Sequence, residues 1–164
     1  MNEGCAEDGR IAATCAPRYR GIVGLPLHER RPPYRRPLLQ PLLEMAIASA
    51  ASEQGQNVGV VLVACADTSP GRVARLSEMA RAVFVDRPCV RFAETELAVL
   101  VAATEPAAAK SEAADLMAIA KAAGLEAWCG YASLATGGSA SEVLAAAEAA
   151  LALARRVGPG TVIG

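Results

Sequence analysis

The sequence has no apolar run long enough to cross a membrane and no cysteine pattern that would hold a metal. Its longest apolar runs, residues 58–66 and 97–103, fall well short of the roughly 20 residues that a membrane helix needs. The five cysteines are scattered and include no C-x-x-C pair, so they indicate neither a disulfide framework nor a zinc site. The acidic N-terminus lacks the pattern of a secretory signal. We therefore expect a cytoplasmic protein with reduced thiols.

The chain also lacks an excess of either charge. Its 16 Lys and Arg against 17 Asp and Glu give a formal net charge of -1, so no global electrostatic attraction favours nucleic acid or an anionic membrane as partner. Its 164 residues are enough for one compact domain and short for two.

The first part of the sequence is rich in Gly, Ala and charge. Residues 1–18 show no apolar periodicity and are predicted to be a flexible tail ahead of a domain at 19–164. A connector rich in Arg and Pro follows, in which prolines oppose regular helix. A candidate patch for a phosphate or an acidic protein partner is formed by Arg30, Arg31, Arg35 and Arg36, with a solvated basic loop as the alternative.

The rest of the chain alternates helical and strand-like patterns. Pro41 is expected in the first turn of the first helix, and Ser139 or Ser141 is expected to cap the last one. Predicted helices cover 37–54, 72–84, 106–123 and 142–160, and predicted strands cover 58–66, 90–92, 97–103, 125–134 and 161–163.

The sequence VRFAETELAVLVAA, residues 90–103, predicts a β-hairpin with a polar tip. Its second arm is a continuous apolar run, as expected of a strand buried on both faces. A loop held between two rigid strands positions side chains well, so the tip is the place where this domain would present chemistry.

The hairpin resembles the signature of GGDEF domains, the diguanylate cyclases, which reads R-x-G-G-[DE]-E-F before an apolar strand. Residues 21–26, GIVGLP, resemble the opening of that family, and residues 142–160 resemble its last helix. The signature positions fall on Ala93, Glu94, Thr95, Glu96 and Leu97, of which only Glu96 is kept. The resemblance implies an α/β fold like the palm of nucleotide cyclases, with a mainly antiparallel central sheet of about five strands and helices on both faces.

The resemblance also implies which residues would meet substrate. The family joins two GTP molecules with magnesium held by carboxylates. Here Thr95 stands at one ligand position and Cys65 on or near the other, with Asp67 close by. The family's product-inhibition motif, R-x-x-D, is replaced by FVDR at 84–87. The resemblance makes Asp67, Glu96 and Arg155 the candidates for residual nucleotide or metal contacts, for which the alternatives are solvated loop acids and a cation near a helix C-terminus.

The resemblance thus implies a degenerate GGDEF-like module that is catalytically inactive and needs no cofactor or resident metal. Such a module would regulate cyclic-di-GMP signalling in bacteria through a protein partner or self-association. Two alternatives stay open. One is a divergent active cyclase in which Asp67, Glu94 or Glu96 holds magnesium, and the other is a sensor that binds GTP or cyclic-di-GMP without turnover.

Overall fold

The computed structural model describes residues 36–52, 57–66, 69–103, 105, 107–134 and 138–164. The predicted tail and the start of the predicted domain lie outside these residues, as do Arg30, Arg31 and Arg35 of the candidate patch. Arg36 begins the first described helix, but its side chain is not described. None of the described helices is long and apolar enough to span a membrane.

The described elements follow the order that the sequence predicts. Pro41 is the sixth residue of the first helix, and since one turn takes 3.6 residues it lies past the first turn. The predicted first-turn position was therefore wrong. In chain order the elements are α1 (Arg36–Ser52), β1 (Asn57–Cys65), α2 (Pro70–Val83), β2 (Cys89–Ala93), β3 (Glu96–Ala103), α3 (Ala108–Ala122), β4 (Ala127–Leu134), α4 (Ala140–Val157) and β5 (Val162–Ile163).

The five strands form one sheet in the order β2-β3-β1-β4-β5. All neighbouring pairs are antiparallel except β4 and β5, which run parallel. The valine-rich β1 lies at the centre, with β3 on one side and β4 on the other, as its continuous apolar run predicts. The expected mainly antiparallel sheet is confirmed.

Helices cover both faces of the sheet, and β1 shows why both faces need cover. Val61 and Val63 pack with residues of α2 and α3, whereas Val60 and Leu62 pack with residues of α1 and α4. Successive side chains of a strand point to opposite faces, so a strand that is apolar at every position is stable only between two helical layers. Each layer supplies one half of the core.

The last helix, α4, is fixed at its start by a capping box. The Ser139 hydroxyl accepts a hydrogen bond from the Glu142 amide, and the Ser139 amide donates to the Glu142 carboxylate at 2.8 Å. The Ser139 amide and the Ser139 hydroxyl both donate to the Glu142 carboxylate, which lowers the pKa of Glu142 because these two bonds favour its charged form. The predicted cap at Ser139 is confirmed, and it sets the point from which α4 crosses β4 and β1.

The buried cysteines behave as small apolar side chains. Cys65 and Cys129 are buried in the layer that α2 and α3 cover, whereas Cys89 is half-buried beside it. Burial raises the pKa of Cys129 to about 12, so that thiol stays protonated at neutral pH. This agrees with the interpretation of these residues as part of the core.

Candidate functional site

The signature-like hairpin consists of β2, β3 and the two-residue turn between them. Ala93 pairs with Glu96 across the strands, and Glu94 and Thr95 form the turn. The Arg91 guanidinium donates a hydrogen bond of 2.6 Å to the Glu94 carbonyl, which closes the turn from within the hairpin. The register shifts between Arg91 and Ala93, as at a β-bulge. The hairpin tip is therefore held by its own backbone and by Arg91.

The tip is also tied to the end of the central strand. The Cys65 amide donates a hydrogen bond of 2.8 Å to the Thr95 carbonyl. The turn therefore lies beside the C-terminal end of β1, where the resemblance places the acid that holds a metal. That end of β1 presents Ala64 and Cys65, and Asp67 lies outside the described residues.

Glu96 begins β3 and faces the layer of α1 and α4. It pairs with Ala64 on β1, and Ala64 pairs in turn with Trp128 on β4, so the three residues form one row across the sheet. Ala64 and Trp128 both pack in that layer. The indole nitrogen of Trp128 is buried and has no hydrogen-bond partner among the described residues.

Arg155, in the last turn of α4, reaches this row. Its Nη2 lies 2.5 Å from Oε1 of Glu96, in an ion pair that joins the start of β3 to the end of α4. The Glu96 side chain is 17% exposed and that of Arg155 is 45% exposed. The interpretation of Glu96 as a solvated turn acid was wrong, because Glu96 lies in a strand and is largely covered. Arg155 is likewise more than a solvated cation, since it neutralises Glu96.

The donor groups that the structure describes at this end of the sheet do not form a magnesium site. Magnesium prefers several oxygen ligands, mostly carboxylates and water, in near-octahedral geometry. The described carboxylates here are Glu94, which is exposed on the turn, Glu96, which is bound to Arg155, and Glu126, which is exposed just before β4 and whose carbonyl accepts a hydrogen bond from the Ala66 amide. Across the described ranges, no three His, Cys, Asp or Glu side chains are grouped as metal ligands would be.

A second charged contact was not predicted from the sequence. Arg87, which follows α2, lies 2.8 Å from Glu112 of α3, and Glu112 is only 8% exposed. The other carboxylate oxygen of Glu112 is buried without a hydrogen-bond partner in the described part of the chain. Burial raises the pKa of Glu112, against the smaller opposing effect of the Arg87 charge. No spacing rule links residues this far apart, so only the packed structure identifies the pair.

Solved structures similar to this chain are GGDEF domains. That of DgcB from Caulobacter crescentus, in complex with c-di-GMP, matches with a TM-score of 0.62 and 17% identity, covering 78% of this chain and 88% of that one. That of FimX from Pseudomonas aeruginosa matches with a TM-score of 0.64 and 17% identity, covering 77% and 91%. A microbial GGDEF domain studied for its interaction with cyclic di-GMP matches with a TM-score of 0.61 and 19% identity, covering 77% and 95%.

No family model matches this sequence, and no curated protein matches it. At such identities the likeness to solved structures establishes the architecture. In this chain that architecture consists of the five-stranded sheet, the two helical layers and the hairpin beside the end of β1. The chain therefore has the fold of a GGDEF domain, as its hairpin and its last helix predicted.

Proposed function

We propose that this chain is a cytoplasmic GGDEF-like module that acts by binding in cyclic-di-GMP signalling and does not itself make cyclic-di-GMP. It would work through a protein partner or through self-association. The proposal rests on the GGDEF fold together with the chemistry of the hairpin end of the sheet.

The ion pair between Glu96 and Arg155 is the observation that carries the proposal. The one acid kept from the signature is held by a cation, and the cation that the resemblance assigns to phosphate is held by that acid. An anionic triphosphate gains no net attraction from a neutralised pair. At the turn, Glu94 adds a negative charge that would repel a nucleotide unless a metal screened it.

A nucleotide sensor is the second candidate, because two of the similar GGDEF domains were studied with bound cyclic-di-GMP. In this chain the stretch that corresponds to the product-inhibition motif is Phe84 to Arg87. Phe84 is buried in the core, and Arg87 is paired with Glu112. These contacts favour the module without nucleotide over the sensor.

Isothermal titration calorimetry separates the candidates. The protein is titrated with GTP, GDP and cyclic-di-GMP, each with and without magnesium. The binding module gives no saturable heat with any of them. Saturable binding of cyclic-di-GMP or GTP that needs no magnesium would support the sensor, and GTP binding that requires both magnesium and Glu96 would favour the active cyclase.

A further inference from the structure

A groove of about 540 Å³ opens at the end of the β2 and β3 hairpin that lies opposite its turn. One wall is the end of α2 and the loop after it, with Val83, Phe84 and Val85, and the other is the end of β3, residues 100–102. Ala46 of α1 completes the lining. Apart from Asp86 and Arg87, the side chains that line this groove are apolar.

The loop that forms the groove is held in place by three contacts. The Leu100 amide donates to the Pro88 carbonyl at 3.0 Å, and Arg87 Nη1 donates to the Ala102 carbonyl at 3.3 Å. Arg87 also lies 2.8 Å from Glu112. The loop is thus fixed to β3 and to α3 at once, so the groove is formed before any partner arrives, which lowers the ordering cost of binding.

The groove contains one basic and one acidic side chain, and these contacts engage only the basic one. The cation, Arg87, is paired with Glu112. The acid, Asp86, is exposed and has no ion pair or hydrogen bond among the described residues. Among the described residues, the groove therefore offers one negative charge without a partner and no free cation.

The rim is apolar where a solvent-facing loop would ordinarily be polar. Val83 is 58% exposed and Val85 is 76% exposed, although the adjacent Phe84 is buried in the core. Contiguous exposed apolar side chains around a concave surface are typical of an interaction site.

We propose that this groove binds a protein segment in which a large apolar side chain is flanked by Lys or Arg. The apolar side chain would enter the space between Phe84 and Leu100 and cover Val85. The basic neighbour would lie against Asp86. An anionic ligand fits less well, since it would meet the charge of Asp86 and find Arg87 already paired. This assignment rests on the proposed function and gives that binding role a surface and a class of partner.

The test uses the whole chain and a phage-displayed library of random twelve-residue peptides. The peptides that the protein enriches are synthesised, and their dissociation constants are measured by fluorescence polarisation. Three variants are compared with the parent. Val85→Asp places a charge on the rim, Asp86→Lys reverses the charge of the groove, and Val157→Asp changes an equally accessible valine on α4, which is 65% exposed and outside the groove.

We expect the enriched peptides to share an apolar residue beside Lys or Arg. Val85→Asp should weaken their binding about tenfold, because it removes apolar surface that the peptide would cover and puts there a carboxylate that binding must strip of water. Asp86→Lys should weaken it about threefold, as a rim charge does. Val157→Asp should leave it within about twofold of the parent.

Several results would overturn the proposal. They are the absence of any enriched peptide, enrichment of acidic peptides, and equal binding by parent and Val85→Asp. Sedimentation of the free protein gives a further test. If the parent is a dimer and Val85→Asp is a monomer, a second copy of the chain covers the groove and the proposal fails. None of these experiments contains a nucleotide. Their failure is therefore distinct from failure of the proposed function, which the calorimetry tests.

Discussion

Replacing Gly130 by alanine tests how closely α4 lies on the sheet. A Cβ atom at Gly130 would lie 2.6 Å from the Ala147 carbonyl oxygen and closer still to the Leu151 amide nitrogen. Both are backbone atoms of α4, so no side chain can rotate away to make room. The helix itself must shift, and Ala147 and Leu151 would lose part of their packing in the core.

The expected cost follows from two opposing effects. Forcing extra volume into a well-packed core costs about 1–3 kcal/mol. Replacing glycine by alanine also restricts the unfolded chain, which stabilises by about 0.4–1 kcal/mol. Because the contact is with backbone, we expect the upper part of the first range and a net loss of about 2 kcal/mol. With a urea dependence of about 2 kcal/mol per molar, the unfolding midpoint should fall by about 1 M.

The assay is urea unfolding followed by circular dichroism, with Gly71→Ala as the matched control. Gly71 is the second residue of α2, and a Cβ there meets nothing within 4 Å. The same substitution should therefore stabilise at Gly71 by about 0.5 kcal/mol. A neutral or stabilising Gly130→Ala would show that α4 does not lie against β4 at this distance.

The remaining predictions concern the core and the two ion pairs. Val99→Asp should unfold the domain, because Val99 is fully buried and an unpaired buried charge costs several kcal/mol. Glu94→Gln, on the exposed turn, should leave the circular dichroism and the urea midpoint unchanged. A double-mutant cycle of Glu96→Gln and Arg155→Gln should give a coupling of about 0.5–1 kcal/mol that shrinks with salt, because Arg155 is partly exposed, and zero coupling would mean that the pair does not form. Burial raises the pKa of Glu112 above its unfolded value near 4.5, so the folded protein binds this proton more tightly. The parent should therefore gain stability relative to Glu112→Gln as the pH falls from the folded pKa to the unfolded one, and a stability difference that does not vary with pH would contradict this.

The order of the elements could be predicted because the apolar periodicity and the capping residues of this sequence are clear. The run at β1 is apolar at every position, which identifies a strand covered on both faces. Ser139 and Glu142 stand three residues apart before an apolar helical pattern, which is the sequence form of a capping box. The resemblance to the GGDEF signature then placed these elements in a known order.

The chemistry of the hairpin end could not be predicted, because it depends on tertiary register. Glu96 and Arg155 are 59 residues apart and meet only because α4 crosses the sheet toward the start of β3. The pairing of Ala64 with both Glu96 and Trp128 depends on the registers of two strand pairs. Arg87 and Glu112 likewise meet only after α3 has packed beside the loop that follows α2.

The most direct test of a module that binds without chemistry is a cyclase assay on the purified chain. The protein is incubated with GTP and magnesium or manganese, and cyclic-di-GMP is measured by liquid chromatography beside an active diguanylate cyclase. We expect no product above the blank, since Glu96 is neutralised by Arg155 and the described donors do not fit a metal. Formation of cyclic-di-GMP that disappears in Glu96→Ala would contradict the proposal and assign this chain to the active cyclases.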